Sequence, residues 1–553
     1  MSFLYNLVIA LIFFLNNYIH PCKSVAKTNV LIILIDDLRH LSDNNINLPN
    51  IKKLADNGIN FKNAFAQVTI SCFIVLILWN ALSCIWQKHV VLHYLCLNLI
   101  LTFVYISILG TSLINTRNSM LTGRRPDSLR LYDFYNYWRD TVSNFTTLPQ
   151  LFKENGYDTY SIGKIFHPGI SSNFTDDYPY SWSEYPYHPP TEMYKDAPVC
   201  KDRVTKKLQS NLICPVNVLH QPGGTLPDIE SLDAAVSIIS ERNSSKPFLL
   251  AVGFHKPHIP IKFPKEYLEL IPLNRVKPQR HPYMPYNMPA VAWHPWTDIR
   301  HRDDISRLNI PFPWGTMPYK WSLKIRQSYY AAAAYVDDLI GKLMSYVDMG
   351  KTIVVLTSDH GWSLGENGLW AKYSNFDVAL RVPLIFSIPK QSPKNIHAPV
   401  ELLDIFPTLV DFIGLSANIP KCQNNRDKST LCFEGKSLKS LIINKKKPVG
   451  NYFAISQYPR PNVYPQKNSD KPHLKDIKIM GYSIRTNRYR YTEWVSFNNT
   501  LYTIDWNKIY GSELYDHLSD RDECNNLYLV HQYNSIKQYL SKLLRSQVNI
   551  NYN

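Results

Sequence analysis

The chain is basic, yet it lacks a concentrated tract of positive charge. Its 60 Lys and Arg exceed its 44 Asp and Glu, for a formal net charge of +16, but the basic residues are dispersed beyond the short run Lys445-Lys446-Lys447. A dispersed positive field attracts anionic polymers in general and selects none of them, so charge alone does not separate a polyanion-binding enzyme from an ordinary basic soluble protein. The nine cysteines contain no Cys-x-x-Cys, and no His-x-x-x-His accompanies the close pairs, which argues against structural zinc. Cys200/Cys214 and Cys422/Cys432 each bracket a short loop. Such pairs suit disulfides made in an oxidising compartment, with free buried thiols as the alternative. The extreme N-terminus lacks a basic residue, but residues 1–25 otherwise read as a secretory signal: an apolar core at 4–15, then Asn16 and Asn17, then small residues near Ser24 and Ala26. That core is too short for a comfortable membrane span. Four N-x-S/T sequons, at Asn144, Asn173, Asn243 and Asn498, fit the same route.

What is present is globular. With 553 residues, 45% hydrophobic and 19% charged, the chain can bury a large core and form more than one domain. Residues 30–35 are a continuous apolar run, as expected of a strand buried on both faces. Similar runs at 157–162, 247–252 and 353–356 alternate with helical patterns at 48–57, 147–155, 232–240 and 325–347. The alternation predicts an α/β fold: a large, mostly parallel sheet sandwiched by helices over residues 27–445. Pro-rich segments at 178–190 and 276–313 read as long loops that line a cleft. From 446 to 553 the pattern changes. Residues 476–494 are β-branched and aromatic without intervening helices, and 535–544 reads as a final helix. This predicts a smaller α+β domain with an antiparallel sheet.

Residues 73–115 do not fit. They are almost wholly apolar apart from Gln87, Lys88, His89 and His93, and 90–114 is long enough to span a bilayer. A membrane hairpin is one reading. The other, preferred because the stretch interrupts the motif described below, is an insertion such as translated intron sequence.

Two buried runs end in acidic residues, Ile35-Asp36-Asp37 and Thr357-Ser358-Asp359-His360-Gly361. Open parallel sheets bind ligands at the carboxyl ends of their strands. Three carboxylates converging there repel one another, and a hard divalent cation with oxygen ligands, calcium in particular, relieves the repulsion. Taken singly, each Asp is as well explained as a helix cap or turn former.

Asp36-Asp37 after a strand, Leu121-Thr122-Gly123-Arg124-Arg125-Pro126, Gly163-Lys164 and Ser358-Asp359-His360-Gly361 resemble the marks of the type I sulfatases, relatives of alkaline phosphatase. Longer stretches at 130–134, 163–173, 253–260, 370–377 and 469–485 narrow the resemblance to the branch that removes 2-O-sulfate from iduronate. It covers nearly the whole chain except 73–115. The resemblance implies a lysosomal exo-hydrolase of sulfated glycosaminoglycans (heparan and dermatan sulfate), with neither nucleic acid nor membrane as partner. It implies that Asp36, Asp37, Asp359 and His360 bind one calcium ion. It also implies that Lys164, His167, His255 and Lys372 surround the sulfate ester. Lysines neutralise sulfate oxygens and developing charge, and a histidine protonates a poor alkoxide leaving group. Without the resemblance, Lys164 reads as a surface residue, His167 and His255 as core histidines, and Lys372 as a partner of Asp377.

The nucleophile of this family is formylglycine, made by the formylglycine-generating enzyme from the Cys of Cys-x-Pro-x-Arg. Here Ala64–Ile70 leads into that motif and Thr116-Arg117 ends it, with Ser71, Cys72 and the apolar stretch between. Cys72 is followed by Phe73-Ile74-Val75, so the required Pro is absent. Counted from Ala64, Ser71 fills the nucleophile slot and Cys72 falls one residue late. Cys72 is the candidate because maturation requires Cys. The uninterrupted form is expected to be active and this chain inactive. A catalytically dead polyanion-binding relative and a phosphodiesterase of the same superfamily remain open.

Overall fold

The computed structural model describes residues 28–40, 47–68 and 115–549, apart from 134, 167–168, 203–204, 243, 418, 425–426 and 445–451. The expected signal segment, Ser71, Cys72, residues 73–114, His167 and the expected domain boundary near 445 lie outside the described residues.

In chain order the main elements are β1 (Asn29–Ile35), α1 (Pro49–Asp56), β2 (Ile59–Phe65), α2 (Asn115–Thr122), α3 (Leu148–Glu154), β3 (Asp158–Gly163), α4 (Pro227–Glu241) and β4 (Phe248–Phe254). There follow α5 (Tyr319–Met344), β5 (Thr352–Ser358), β6 (Arg381–Ser387), β7 (Lys394–Ile396), β8 (Val400–Glu401) and α6 (Ile405–Phe412). The C-terminal part contributes β9 (Ala454–Arg460), β10 (Ile479–Arg485), β11 (Tyr489–Asn498), β12 (Thr503–Asp516) and α7 (Asn534–Asn549).

The large sheet has eight strands in the order β7-β2-β6-β5-β1-β4-β3, with β8 also on β2. β1 runs parallel to β4 and β5, and β3 parallel to β4. The apolar runs of β4 and β5 are buried at every position, as strands covered on both faces must be. Alternation along β1 divides the core. Leu31, Ile33 and Ile35 join the cluster under α1, α4 and α5, while Val30, Ile32 and Leu34 join the one under α2, α3 and α6. The mostly parallel sheet between helical layers is therefore the observed architecture. β6 is its exception, antiparallel to both β2 and β5. Its run carries Pro383, which gives up its amide in the ladder while the Pro383 carbonyl accepts from Thr357 Oγ1 at 2.8 Å.

β9, β10, β11 and β12 form a separate antiparallel meander, on which α7 places Leu540 and Leu544. The sequence reading located β10, β11 and α7 but neither β9 nor β12. β9 docks just beyond the end of β2: Gln457 N–H donates to Gln67 O at 2.8 Å, and Ser456 Oγ donates to Ala66 O at 2.6 Å. Cys200–Cys214 and Cys422–Cys432 are disulfides. Among the described residues no helix is long and apolar enough to cross a membrane.

Candidate active site

Strand register brings the candidate residues together. Ile35 pairs with Ser358 on one side and with Phe254 on the other, so Asp36-Asp37, Asp359-His360 and His255 leave three neighbouring strands at one level. Asp37 turns the chain sharply, at φ +66°. The turn is held from both sides: Asp37 N–H donates to Asp359 Oδ1 at 3.2 Å, and Leu38 N–H to Ser358 Oγ at 2.9 Å. Tyr329 of α5 locks it from below, donating to Asp37 O at 2.6 Å and accepting from Arg39 N–H at 2.9 Å. As a result, one ligand atom each from Asp36, Asp37, Asp359 and His360 lie within 4.8 Å of one another, all four residues buried.

Three cations ring this cluster. Lys164 Nζ pairs with Asp36. Lys372 Nζ lies 2.7 Å from Asp37 Oδ1. Arg117, in the first turn of α2, places Nε 3.0 Å from Asp359 Oδ2 and Nη2 3.5 Å from Asp36 Oδ1. Lys372 is thus not a partner of Asp377, which is taken by Arg485 Nε at 3.0 Å. The cations do not satisfy the cluster. Burial, reinforced by Asp36 and Asp359 and opposed by Lys372, pushes the Asp37 carboxyl up to about 8. Burial brings His360 down to about 4, so its imidazole is neutral and offers a lone pair. Asp37 Oδ2 and His360 Nε2 are buried without a hydrogen-bond partner. Three carboxylates, a neutral imidazole and two orphaned acceptor positions fit a hard divalent cation.

Two facing glycines bring Lys164 and His255 close. Gly163 of β3 pairs with Gly253 of β4, and Lys164 N–H donates to Gly253 O at 3.0 Å. A Cβ on Gly253 would stand 2.1 Å from Lys164 O, so no larger residue fits there. The chain after β4 is then held by Asp228 of α4, which accepts from the N–H groups of His255 at 2.6 Å and Lys256 at 3.1 Å. His258 faces the cluster, with Nε2 3.8 Å from Asp37 Oδ2, and burial keeps its pKa well below the ordinary histidine value. Lys164, His255 and His258 share the wall of a cavity of about 410 Å³. The loop at 178–190 reaches this cavity through His188, Pro189 and Pro190, whereas none of 276–313 lines it. Asp228 and Glu192 carry no mark in the sequence, and His258 enters there only within the stretch 253–260, without a role of its own. The signal available for His258 is its place three residues after His255, just beyond a buried strand.

Cys72 and His167 lie outside the described residues, so the structure does not place them. The two sides of the interruption do meet: Val68 N–H donates to Thr116 Oγ1 at 3.3 Å, and that hydroxyl donates back to Val68 O.

The Sulfatase family model matches residues 100–415. Human iduronate 2-sulfatase is 43% identical over 544 residues, covering 90% of this chain and 91% of that one. Among solved structures, one in complex with its substrate D-glucosamine-2-N,6-O-disulfate superposes with a TM-score of 0.64 at 19% identity, covering 95% of this chain and 99% of the other. A phosphonate monoester hydrolase from Silicibacter pomeroyi does so with a TM-score of 0.62 at 16% identity, covering 95% and 96%. The last likeness shows that this fold hosts more than one ester chemistry; the sequence match, long and at high identity, is what decides between them. The chain belongs to the sulfatase family.

Proposed function

We propose that this sulfatase removes the 2-O-sulfate of iduronate in heparan and dermatan sulfate, as a calcium enzyme of the lysosome reached through the secretory pathway. The observation that carries the reading is the buried Asp36, Asp37, Asp359 and His360 cluster ringed by Lys164, Lys372 and Arg117, on a chain so similar to iduronate 2-sulfatase. Those four residues would hold calcium, which supplies Lewis-acid polarisation of the nucleophile and of a sulfate oxygen. Lys164 and Lys372 sit where they neutralise the remaining sulfate oxygens and the charge that grows as the ester bond lengthens. His255, on the wall of the cavity, is the candidate to give a proton to the departing sugar oxygen. That oxygen takes the electron pair of the breaking S–O bond and leaves as a hydroxyl. Arg117 fixes the carboxylates from the other side, with Nη1 donating to Ile165 O at 3.2 Å. Formylglycine at Cys72 is the nucleophile that the family's chemistry requires, and sulfated glycosaminoglycan and the formylglycine-generating enzyme are the expected partners.

A second reading rests on one specific observation: Cys72 is followed by Phe73-Ile74-Val75 rather than x-Pro-x-Arg. The chain as written is then a catalytically dead polyanion binder, and the active product is a form without the apolar stretch. Mass spectrometry across residues 71–117 of protein from the native source, paired with desulfation of a 2-sulfated iduronide, separates the two. Formylglycine in an uninterrupted motif supports the enzyme. The long form alone, hydrolysing the substrate, overturns the idea that the stretch inactivates it.

A further inference from the structure

Lysines give the cavity of about 410 Å³ beside the cluster its charge, but its mouth is apolar, and the proposed chemistry uses none of that surface. Phe174, Met193 and Tyr194 line the cavity and are 65%, 52% and 37% exposed. Exposed apolar side chains scattered singly are ordinary, whereas three gathered at the mouth of one cavity mark a contact surface. Phe174 is held there against its backbone preference. Its φ is +58°, and Asn173, Asp176 and Asp177 are left-handed as well, at +51°, +50° and +68°. Asn and Asp tolerate that region, but a bulky aromatic residue rarely enters it. The surroundings fix the turn: Phe174 N–H donates to Gly169 O at 2.7 Å, Ser172 Oγ to Asp176 Oδ1 at 3.2 Å, and Trp182 Nε1–H to Asp176 O at 2.7 Å. Arg139 holds Asp177, with Nη2 donating to Oδ2 at 2.8 Å. Met193 and Tyr194 belong to the 3-10 turn Pro190–Tyr194. That turn is pinned twice: Thr191 N–H donates to Glu230 Oε2 at 3.1 Å, and Lys262 Nζ donates to Tyr194 O at 2.8 Å.

We propose that Phe174, with Met193 and Tyr194, is the platform for the sugar ring that follows the sulfated iduronate, so that the protein prefers an oligosaccharide to a lone sulfated sugar. The inference rests on the sulfatase reading and extends it outward, from the reacting sulfate to the neighbouring ring. A pyranose has polar edges and an apolar face of C–H groups. An aromatic ring that is exposed yet held in place suits that face, because contact removes apolar surface from water and orders little that was mobile. The inner wall supplies the rest of the recognition. Lys164, Lys195, Lys256 and Lys262 line it, which places positive charge where the sulfate and carboxylate groups of such a chain would lie. The acids of the wall do not cancel that charge, since Glu192 and Asp228 are taken up by His255, at 3.1 Å from Nε2 and 3.3 Å from Nδ1. Charge within and an apolar rim outside fit a sulfated sugar joined to a second sugar. A small sulfate ester would leave the rim uncovered.

The test reads binding, not turnover. Titration calorimetry on the full chain uses two probes: the methyl glycoside of 2-sulfated iduronate, and the disaccharide in which the same sulfated iduronate is followed by a hexosamine. The parent should bind the disaccharide several-fold more tightly. Phe174→Ala should weaken the disaccharide by roughly fivefold or more and leave the methyl glycoside within about twofold, and Phe174→Trp should restore the preference. The loss should be equal at low and high salt, as for a stacking contact and unlike an ion pair. The sequon Asn173-Phe174-Thr175 survives both substitutions, so glycosylation is not a variable between them. Equal weakening of both probes, with a lower melting temperature, would show that Phe174 only shapes its loop and would overturn the proposal. An effect that vanishes once N-glycans are removed would overturn it as well, by giving the platform to a glycan at Asn173. If the parent binds both probes and Phe174→Ala leaves their ratio unmoved, the proposal fails alone. If the parent binds neither, the iduronate reading has failed and the proposal falls with it.

Discussion

Val68 and Thr116 bond to each other, N–H to hydroxyl at 3.3 Å, although nearly fifty residues separate them in the chain. The scaffold thus closes at the point where the sulfatase motif is interrupted, and a handful of residues suffices to bridge it.

Replacing residues 73–115 with Ala-Pro, so that Cys72 and Thr116-Arg117 read Cys-Ala-Pro-Thr-Arg, should give a folded protein that is converted to formylglycine. Peptide mass spectrometry checks the conversion, and hydrolysis of a 2-sulfated iduronide checks its consequence. Deleting Ser71 in parallel settles the register. Absence of conversion in both forms would show that more than the motif has been lost.

Calcium should stabilise the chain through the cluster. At 100-fold excess over its dissociation constant a bound ion contributes about 2.7 kcal/mol, visible as a rise in melting temperature that chelator reverses. In Asp37→Asn the rise should vanish. In chelator, that variant should stay close to the parent, because burial already pushes the Asp37 carboxyl up to about 8 and keeps it largely protonated at neutral pH. A calcium response that survives the substitution would place the ion elsewhere.

Glu366 offers a pH test away from the cluster. It is 2.9 Å from Arg39 and 3.1 Å from Arg326. Burial works against its charge, but the two guanidinium groups win and bring its pKa down to about 2 from an ordinary 4.5. A depressed carboxyl contributes stability that is complete above its unfolded pKa and lost as pH falls through the folded one. Glu366→Gln should therefore cost roughly 2–3 kcal/mol at pH 7, and the difference should shrink steadily below pH ~4.5. Denaturant midpoints at pH 7 and pH 4 would show it.

Gly253→Ala should destabilise the fold by about 3 kcal/mol, the upper end of overpacking costs, because its Cβ would meet Lys164 O at 2.1 Å. Gly350→Ala, whose nearest neighbour would be the Asp348 side chain at 3.3 Å, is the control and should be nearly silent. Equal effects would mean that the β3–β4 junction yields more readily than its geometry implies.

The carboxylate cluster is legible in the sequence because two wholly apolar runs each end in acids, and buried parallel strands share one carboxyl edge. The same logic finds Lys164 after Gly163. It fails for Glu192 and Asp228. Glu192 sits in a Pro-rich loop whose path no periodicity records, and Asp228 in the first turn of α4 resembles any acidic residue at a helix start. β6 escaped because Pro383 breaks its apolar run. β12 escaped because its half-exposed stretch 503–510 carries too many polar residues to read as a strand, and β9, though buried throughout, because Ser456, Gln457, Pro459 and Arg460 break its apolar pattern.

Trp362 adds an optical consequence to the site. Its indole is buried, with Lys372 Nζ 5.6 Å from the ring centroid and Lys372 in turn 2.7 Å from Asp37. A lanthanide such as terbium, which shares calcium's preference for hard oxygen ligands, would sit within energy-transfer range of that chromophore. Excitation of the indole should then produce green terbium emission, quenched by excess calcium and weakened in Trp362→Phe. The protein thus carries its own antenna for reporting when the carboxylate cluster is filled.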